Sequence, residues 1–308
     1  MTGATVRVEG LHVRFGDVQA LAGVDLDVAT GTTLGVLGHN GAGKTTLIRV
    51  LTTLLRPAAG RVSIDGFDVL TDADHVRSRI GVTGQYAGLD EFLTGRENLE
   101  LIGELIGLGR GARHRARDLI ARLDLGDIAD RRVGTMSGGS RRRIDIAASL
   151  IGEPSVLFLD EPTTGLDPLA RGVLWDLVAD LTKGGTTVVL TTQYLEEADR
   201  LADDIVVLGH GRLVARGTPA ELKRMVGGKV VTATVATADL RRLSWQPDET
   251  RSLTGETSRI EFATADADEA GAVVTRLRTD DIAIIDLDIA SPTLDDVFAH
   301  LTTQGANP

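Results

Sequence analysis

The sequence predicts an α/β fold organised around one phosphate-binding loop, and two features support this prediction. An apolar strand, a glycine-rich loop and the start of a helix follow one another between residues 33 and 55. Further along the chain, apolar strands alternate with helices, which is typical of a parallel sheet. A run of helices interrupts the alternation at residues 96–152, and a separate strand and helix pattern begins after residue 228.

The loop matches the pattern G-x-x-x-x-G-K-[ST], and the helix that follows it is expected to stop near Pro57. Glycines let successive backbone N–H groups turn toward an anion, and the helix N-terminus adds a positive charge of roughly half a unit. Lys44 can reach the β- and γ-phosphates of a nucleotide, the Thr45 hydroxyl can ligate Mg²⁺, and Thr46 can lie near the α-phosphate. The predicted phosphate-binding residues are Gly38, His39, Asn40, Gly41, Ala42, Gly43, Lys44, Thr45 and Thr46.

Length, charge and cysteine content limit the classes of protein to which this chain can belong. The 308 residues suffice for one large domain or for one domain with an appendage. The net charge of -11 argues against nucleic acid as a partner. The chain has no cysteine, which excludes disulfides and thiolate metal sites. Because the N-terminus lacks signal-peptide features and no apolar run approaches ~20 residues, we expect a soluble chain whose membrane role requires a partner.

The N-terminal part predicts antiparallel strands, because apolar and polar residues alternate over residues 5–28. Residues 61–67 add a hairpin with an Asp-Gly turn. A helix is expected over residues 72–79, followed by a strand over 80–83 that ends just before Gln85.

The block 96–152 predicts a helical insertion, since apolar residues recur there at helical spacing. Its third helix follows Ser137, Gly138 and Gly139. Ser137 can cap that helix, and the glycines leave backbone N–H groups open to an anion. Two interpretations stay open from these residues: an ordinary capped helix, or a second anion site in a chain with only one nucleotide loop.

The apolar strand 155–160 ends in two carboxylates. Asp160 is placed to hold Mg²⁺, and Glu161 is placed to polarise an attacking water. An acidic corner without function is the alternative, but the phosphate loop in the same chain favours the catalytic interpretation. The sequence next predicts alternating helices and strands: a helix over 168–182, a strand over 187–190, a helix from Tyr194, a strand over 205–208 and a hairpin through Gly211.

Gly227-Gly228 predicts a boundary between a domain at residues 1–226, with a helical subdomain at about 86–152, and a second domain at 229–308. The second domain is expected to contain strands at 229–235, near 251–253, at 258–263 and at 282–288. Helices are expected near 237–243, at 267–278 and at 293–302. This order predicts a small α+β domain of the ferredoxin-like type.

Together these motifs resemble the nucleotide-binding subunits of ABC transporters over about residues 4–225. The loop 38–46 matches the Walker A motif, and residues 158–162 match the Walker B strand with its catalytic glutamate. Ser137-Gly138-Gly139 match the core of the signature motif. Further matches are Gln85 for the Q-loop, Gly165, Leu166 and Asp167 for the D-loop, and Phe15 for the ring that stacks on adenine.

Some positions depart from the usual family pattern. Met136 and Ser140 replace Leu and Gln in the signature motif, and Gln193 replaces the usual switch His. These changes, the run Arg141-Arg142-Arg143 and the ending 291–298 resemble the daunorubicin-resistance branch of drug and antibiotic exporters. We expect the arginine run to form a solvated face. Gln193 is expected to position the γ-phosphate and water, with capping of the following helix as the alternative.

The resemblance implies a mechanism. Two copies bind two ATP and Mg²⁺ head to tail, each nucleotide lying between one Walker A loop and the partner's Ser137-Gly138-Gly139. Lys44, Glu161, Gln193 and Gln85 are the implied catalytic residues, and Thr45, Gln85 and Asp160 hold the metal. The implied partner is a separate membrane permease, which places the chain on the cytoplasmic face of the cell membrane. Alternatives are a soluble ABC ATPase of translation or DNA repair, or the ATPase of an importer.

Overall fold

The computed structural model describes residues 4–84, 88–226 and 228–298. The predicted Q-loop residue Gln85 lies outside these described residues. The chain divides into two units, Met1–Thr218 and Pro219–Pro308. This division precedes the helix Pro219–Val226, whereas the sequence predicts a boundary after that helix.

Strands and helices of the first unit follow the predicted order. Its strands are β1 (Ala4–Phe15), β2 (Val18–Ala29), β3 (Thr33–Leu37), β4 (Ala59–Ile64), β5 (Phe67–Asp68), β6 (Ile80–Thr83), β7 (Val156–Asp160), β8 (Thr187–Thr192), β9 (Asp204–Gly209) and β10 (Arg212–Gly217). Its helices are α1 (Lys44–Leu51), α2 (Ala73–Arg77), α3 (Gly95–Leu105), α4 (Ala112–Arg122), α5 (Gly138–Ser149), α6 (Pro168–Lys183) and α7 (Leu195–Leu201).

A mostly parallel sheet carries the chemistry of this unit, with strand order β10-β9-β3-β8-β7-β6. Every residue of β3, β7 and β8 is buried, which explains why these strands are mostly apolar, with polar residues at their ends. Strand β8 lies between β3 and β7 and is parallel to both. The carboxyl ends of these strands therefore meet at one edge of the sheet, which is where ligands bind in such folds.

An antiparallel sheet, with strand order β2-β1-β4-β5, forms the second layer. The predicted Asp-Gly turn joins β4 to β5, and Asp65 and Gly66 have φ angles of 50° and 80°. Positive φ at both central residues is what a tight hairpin turn with the right-handed strand twist requires. The apolar faces of both sheets share one core around α1.

Helix α1 ends earlier than the sequence predicts, at Leu51 instead of near Pro57. The Thr52 hydroxyl donates a hydrogen bond to the Ile48 carbonyl at 2.8 Å, and Thr53 has a φ of 63°. A left-handed residue directly after a helix ends its hydrogen-bond pattern. The apolar residues beyond it continue the helical spacing without continuing the helix.

The predicted helical block consists of α3, α4 and α5. A capping box starts α3, in which Thr94 and Glu97 exchange hydrogen bonds with each other's backbone N–H groups. Apolar residues of these helices form a second core with the opposite face of the parallel sheet, including Leu99, Leu119, Ile144, Leu157 and Val188. Helix α5 is thereby packed behind the strands that carry the acidic residues.

The second unit begins with α8 (Pro219–Val226) and continues as an antiparallel sheet with one helix packed on it. Its remaining elements are β11 (Val230–Ala236), β12 (Glu249–Ser252), β13 (Thr257–Ala263), α9 (Ala267–Thr279) and β14 (Ile284–Ala290). The strand order β12-β13-β11-β14 confirms the predicted ferredoxin-like arrangement, in which a short 3₁₀ helix at Thr237–Arg242 replaces the first α-helix. Residues 294–298 are helical. Within the described part of the chain, no helix is both long and apolar enough to cross a membrane.

Candidate nucleotide-binding site

Packing and backbone conformation explain the glycines of the phosphate loop. Gly41 and Gly43 have φ angles of 83° and 111°, in the region that residues with a Cβ avoid. A Cβ atom at Gly38 would lie 2.7 Å from the Leu208 carbonyl oxygen, and one at Gly43 would lie 2.8 Å from the Ala20 carbonyl oxygen. The loop is therefore held against neighbouring strands in a form that side chains would disrupt.

Lys44 is the first residue of α1 and is only 5% exposed. Its ammonium donates hydrogen bonds to the carbonyl oxygens of Gly38 at 2.7 Å and His39 at 3.3 Å. The same nitrogen lies 3.8 Å from the Glu161 carboxylate. The structure thus brings the lysine of the phosphate loop and the predicted catalytic carboxylate together at the edge of the parallel sheet.

Thr191 of β8 holds the carboxylate of Asp160, the last residue of β7, and the backbone N–H of Glu161, the next residue. The Thr191 hydroxyl donates to Asp160 at 2.5 Å, and the Glu161 backbone N–H donates to the Thr191 carbonyl oxygen at 3.0 Å. Glu161 has a φ of 47°, an uncommon conformation for a residue with a side chain. Thr191 is not among the residues that the sequence predicts for the site. The available signal is a polar residue inside a buried strand, in register with Asp160.

The predicted cap of α5 is confirmed. The Ser137 side chain accepts a hydrogen bond from the Ser140 backbone N–H at 3.2 Å. A Cβ atom at Gly139 would lie 2.8 Å from the Cβ of Ala170, in the first turn of α6. Asp167 caps α6 by accepting from the Ala170 N–H at 2.9 Å. The starts of α5 and α6 are therefore packed together, and Gly139 permits the close approach.

The predicted solvated face at the arginine run is wrong for Arg142, which is only 8% exposed. Its guanidinium donates to the carbonyl oxygens of Pro162 at 3.0 Å, Asp160 at 3.3 Å and Gly84 at 2.6 Å, and it pairs with Asp145 at 3.2 Å. Helix packing overrides the usual exposure of arginine because all three guanidinium nitrogens donate to buried or partly buried acceptors. The missed signal is the i, i+3 spacing of Arg142 and Asp145 on a helix whose neighbours are apolar.

Burial affects the protonation of Asp145. It raises the pKa of this carboxyl to about 6, against the nearby Arg142 guanidinium and the Gly88 N–H, which both lower it. Desolvation favours the neutral form of a carboxyl group, and here it exceeds the opposing interactions.

Asp145→Asn is expected to weaken the pH dependence of stability. The pKa of Asp145 is about 6 in the folded protein, above its ordinary value of 3.8. The protonated carboxyl therefore stabilises the fold fully below pH 3.8, and this stabilisation is lost as the pH rises through 6. Between pH 5 and 7 the loss is roughly 1 kcal/mol. Denaturant unfolding at both pH values should show the wild type losing about that much more unfolding free energy than the variant. Equal losses would contradict the assignment.

Gln193 and Phe15 occupy exposed positions at the ends of strands. Gln193 directly follows β8, which extends beyond the predicted strand end to Thr192. The N-cap of α7 is Tyr194, which has no side-chain cap hydrogen bond, and the Tyr194 N–H donates to the Thr192 hydroxyl at 2.9 Å. The alternative capping role of Gln193 therefore has no support in these contacts. Phe15 ends β1, and about half of its surface is exposed.

Gln193→Ala is expected to slow ATP hydrolysis while leaving ATP affinity largely intact, because the exposed amide makes no cap that the fold depends on. Gln193→His should retain activity, since either side chain can donate a hydrogen bond to a phosphate oxygen. Single-turnover hydrolysis with excess enzyme measures this step. An alanine variant with an unchanged rate would remove Gln193 from the catalytic set.

Two family models match the chain. A model described as ABC transporter matches residues 21–164. A model described as the C-terminal domain of ATP-binding proteins like DrrA1-3 matches residues 217–302. The first match lies within the first unit, and the second begins two residues before the second unit starts.

Similar proteins extend over nearly the whole chain. The daunorubicin resistance ATP-binding protein DrrA3 of Streptomyces coeruleorubidus is 52% identical over 306 residues, covering 98% of this chain and 97% of the relative. The daunorubicin/doxorubicin resistance ATP-binding protein DrrA of Streptomyces peucetius is 44% identical, covering 98% and 93%. A Nod factor export ATP-binding protein I of Burkholderia lata is 41% identical, covering 72% and 73%.

Solved structures show the same fold. The chain matches cbiO1 of Clostridium perfringens, part of an ABC transporter complex, with a TM-score of 0.66, 27% identity, and 71% and 90% of the two chains covered. It also matches a dimeric, post-hydrolysis ATP-binding cassette, MJ0796, bound to ADP and Pi. For that match the TM-score is 0.62, the identity 27%, and the coverage 69% and 98%.

Proposed function

Because this chain belongs to the ATP-binding subunits of ABC transporters, in the branch of the daunorubicin-resistance proteins, we propose that it hydrolyses ATP to power efflux of a drug-like or antibiotic-like molecule. One observation carries the catalytic part of the proposal. Lys44 of the phosphate loop and Glu161 after β7 lie 3.8 Å apart, at the edge where the parallel strands end.

The phosphates of ATP would bind in the loop 38–46. Backbone N–H groups at the start of α1 face an anion there, and the positive end of the helix dipole favours it. Lys44 would leave its present acceptors, the carbonyl oxygens of Gly38 and His39, for the β- and γ-phosphates. The phosphates would replace Glu161 as the charged partner of Lys44, which would leave the Glu161 carboxylate free to accept a proton.

Residues of the site also suit Mg²⁺. Asp160 is a buried carboxylate at the strand end, and the Thr45 side chain is exposed one residue into α1. Oxygen ligands from one carboxylate and one hydroxyl, with the phosphates and waters, are the usual set for this ion. Mg²⁺ would neutralise charge on the phosphates. The Thr191 hydroxyl would orient Asp160 toward it through the existing hydrogen bond.

Glu161 would act as the general base for the attacking water. Its backbone is fixed by Thr191, and one carboxylate oxygen accepts from the Thr164 hydroxyl at 3.3 Å. The other oxygen faces Lys44. Gln193, at the end of the neighbouring strand, would hold the γ-phosphate and water by hydrogen bonds without carrying a proton.

The proposed active form is a head-to-tail dimer. The backbone N–H groups that start α5, after Ser137, suit an anion, and the hydrogen bonds of the described residues link Ser137 to its own helix, not to the phosphate loop. A second copy would therefore supply the Ser137-Gly138-Gly139 that completes each site. Dimeric relatives of similar fold support this arrangement.

Export through a separate membrane permease is proposed over import or a soluble role. The drug-resistance and Nod factor export proteins are named for resistance or export, and support this direction. The chain would act at the cytoplasmic face of the membrane, bound to that permease. Copurification with the product of an adjacent gene, followed by ATPase assays with candidate drugs, tests the proposal. Drug-stimulated turnover in the complex is expected. A chain that binds no membrane protein and hydrolyses ATP equally with any addition would contradict it.

The second unit is proposed to be a separate accessory domain that regulates or stabilises the dimer, because no nucleotide motif lies in it. A chain that ends at Thr218, where the first unit ends, is expected to bind ATP with unchanged affinity. Fluorescent ATP titration of the truncated and full-length proteins measures this. Loss of binding in a truncated chain that is folded by circular dichroism would contradict the division.

A further inference from the structure

A buried ion pair lies directly behind the catalytic edge. Arg142 and Asp145, one turn apart on α5, are both less than a tenth exposed, and their nearest atoms are 3.2 Å apart. Burying two charges is costly, and well-packed apolar residues of similar size are often as stabilising or more so. Stability alone therefore does not account for this pair.

The acceptors of Arg142 flank Glu161. Its guanidinium donates to the carbonyl oxygens of Asp160 at 3.3 Å and Pro162 at 3.0 Å, the residues immediately before and after the catalytic carboxylate. Glu161 itself is held at a φ of 47°. A side chain in an unfavourable backbone conformation persists only where its surroundings determine it strongly. Arg142 supplies two of those constraints from α5, and Thr191 supplies others from β8.

The Arg142–Asp145 pair also makes hydrogen bonds to backbone groups near the end of β6. Arg142 donates to the Gly84 carbonyl oxygen at 2.6 Å, and Asp145 accepts from the Gly88 backbone N–H at 3.3 Å. Helix α5 is thereby fastened to two segments at once, the one after β6 and the one after β7. Its first turn, at Ser137, belongs to the same rigid element.

From these contacts we propose that Arg142, held in place by Asp145, is a positioning residue for Glu161 and ties its backbone to the helix that Ser137 begins. The inference rests on the proposed function, since Glu161 is assigned there as the base. In a head-to-tail dimer, a nucleotide bound by the partner at Ser137 would then act, through α5 and Arg142, on the Glu161 of the same chain.

Three variants of the full-length chain separate positioning from folding. Arg142→Met/Asp145→Leu removes both charges, so no uncompensated Asp145 is left buried, while Glu197, another carboxylate near Arg142, keeps its hydrogen bond from Trp175. Arg142→Lys keeps the charge but has three donors in place of a planar fork of five. Arg143→Met is the matched control. Arg143 follows Arg142 on α5, and the substitution removes contacts to the Asp124 carbonyl oxygen and the Asp127 carboxylate instead of contacts beside Glu161.

Two readouts are needed. The first is the single-turnover rate of hydrolysis compared with ATP affinity. The second is amide hydrogen exchange, without nucleotide, of peptides that contain the Glu161 and Gly88 N–H groups, both of which have acceptors in the structure. A merely structural role would lower the melting temperature and raise exchange throughout the chain instead of at these two places.

We expect the double variant to fold, to bind ATP within about threefold of wild type and to hydrolyse it about 10- to 100-fold more slowly, because small displacements of a catalytic group have effects of that size. Exchange should rise in the Glu161 and Gly88 peptides. The hydrolysis rate and the exchange of Arg142→Lys should lie between those of the wild type and the double variant. Arg143→Met should match the wild type in both. Wild-type rates and exchange in the folded double variant would overturn the inference. A wild-type chain without ATPase activity would instead contradict the proposed function, and exchange would still decide the role of Arg142.

Discussion

Lys44→Ala is expected to reduce ATP hydrolysis below detection and to weaken ATP binding. Among the described residues, the Lys44 ammonium is the one buried cation in the phosphate loop. It lies 2.7 Å from the Gly38 carbonyl oxygen and 3.8 Å from the Glu161 carboxylate. Hydrogen bonds to charged groups contribute about 1.5–3 kcal/mol each, so losing two to phosphate oxygens weakens binding by roughly 10²-fold or more. The developing charge on the γ-phosphate would lose the same support, which lowers turnover further.

Turnover and fluorescent ATP titration measure the Lys44→Ala effect, with Lys183→Ala as the control. Lys183 is an exposed lysine at the end of α6 whose partner Asp180 is equally exposed, so its removal should change neither quantity. Turnover of the Lys44→Ala protein near the wild-type value would remove the loop from the catalytic site. It would leave the fold assignment untouched.

Glu161→Gln is expected to bind ATP normally and to hydrolyse it about 10²–10⁴-fold more slowly, the usual loss when a positioned base is removed. Glutamine has the same size and can still accept from the Thr164 hydroxyl, but it cannot take a proton from water. In the proposed head-to-tail dimer each ATP joins two copies, so a variant that keeps its ATP should accumulate as an ATP-bound dimer. Size-exclusion chromatography with ATP and Mg²⁺, repeated with the permease present, measures its amount.

Glu153→Gln provides a matched control for the Glu161 experiment. Glu153 also has a positive φ, of 53°, but it is exposed and pairs with Arg115 away from the proposed site. Its variant should hydrolyse ATP like the wild type and stay monomeric in the same chromatography. If Glu161→Gln retains full turnover, another residue is the base. If it is inactive yet monomeric under both conditions, the proposed dimer is contradicted.

Features that depend on local sequence could be predicted. The phosphate loop is one continuous segment, and its glycines, Lys44 and Thr45 each have a chemical reason to occur where they do. Burial on both faces makes β7 an apolar run that ends in acid, so the position of Asp160 and Glu161 at a strand end followed directly. The strand and helix order of the second unit likewise predicted its ferredoxin-like sheet.

Features that depend on distant contacts could not be predicted. Arg142 appeared as part of a charged run, and its burial results from carbonyl oxygens on segments far away in the chain. Thr191 is one threonine among several, and only strand register places it beside Asp160. The early end of α1 results from the left-handed Thr53, although the apolar spacing beyond it still favours a helix.

Cross-linking between copies tests the shared-site claim most directly, and the chain suits it because it has no native cysteine. Asn40→Cys, in the exposed phosphate loop, and Ser140→Cys, in the first turn of α5, would each be introduced alone into the Glu161→Gln background. The two purified proteins are then mixed with a short bis-maleimide, with and without ATP and Mg²⁺. We predict an ATP-dependent covalent dimer whose cross-linked peptides join residue 40 of one copy to residue 140 of the other. Folded, ATP-binding variants that give no such cross-link above the level without ATP would contradict a site shared between two chains.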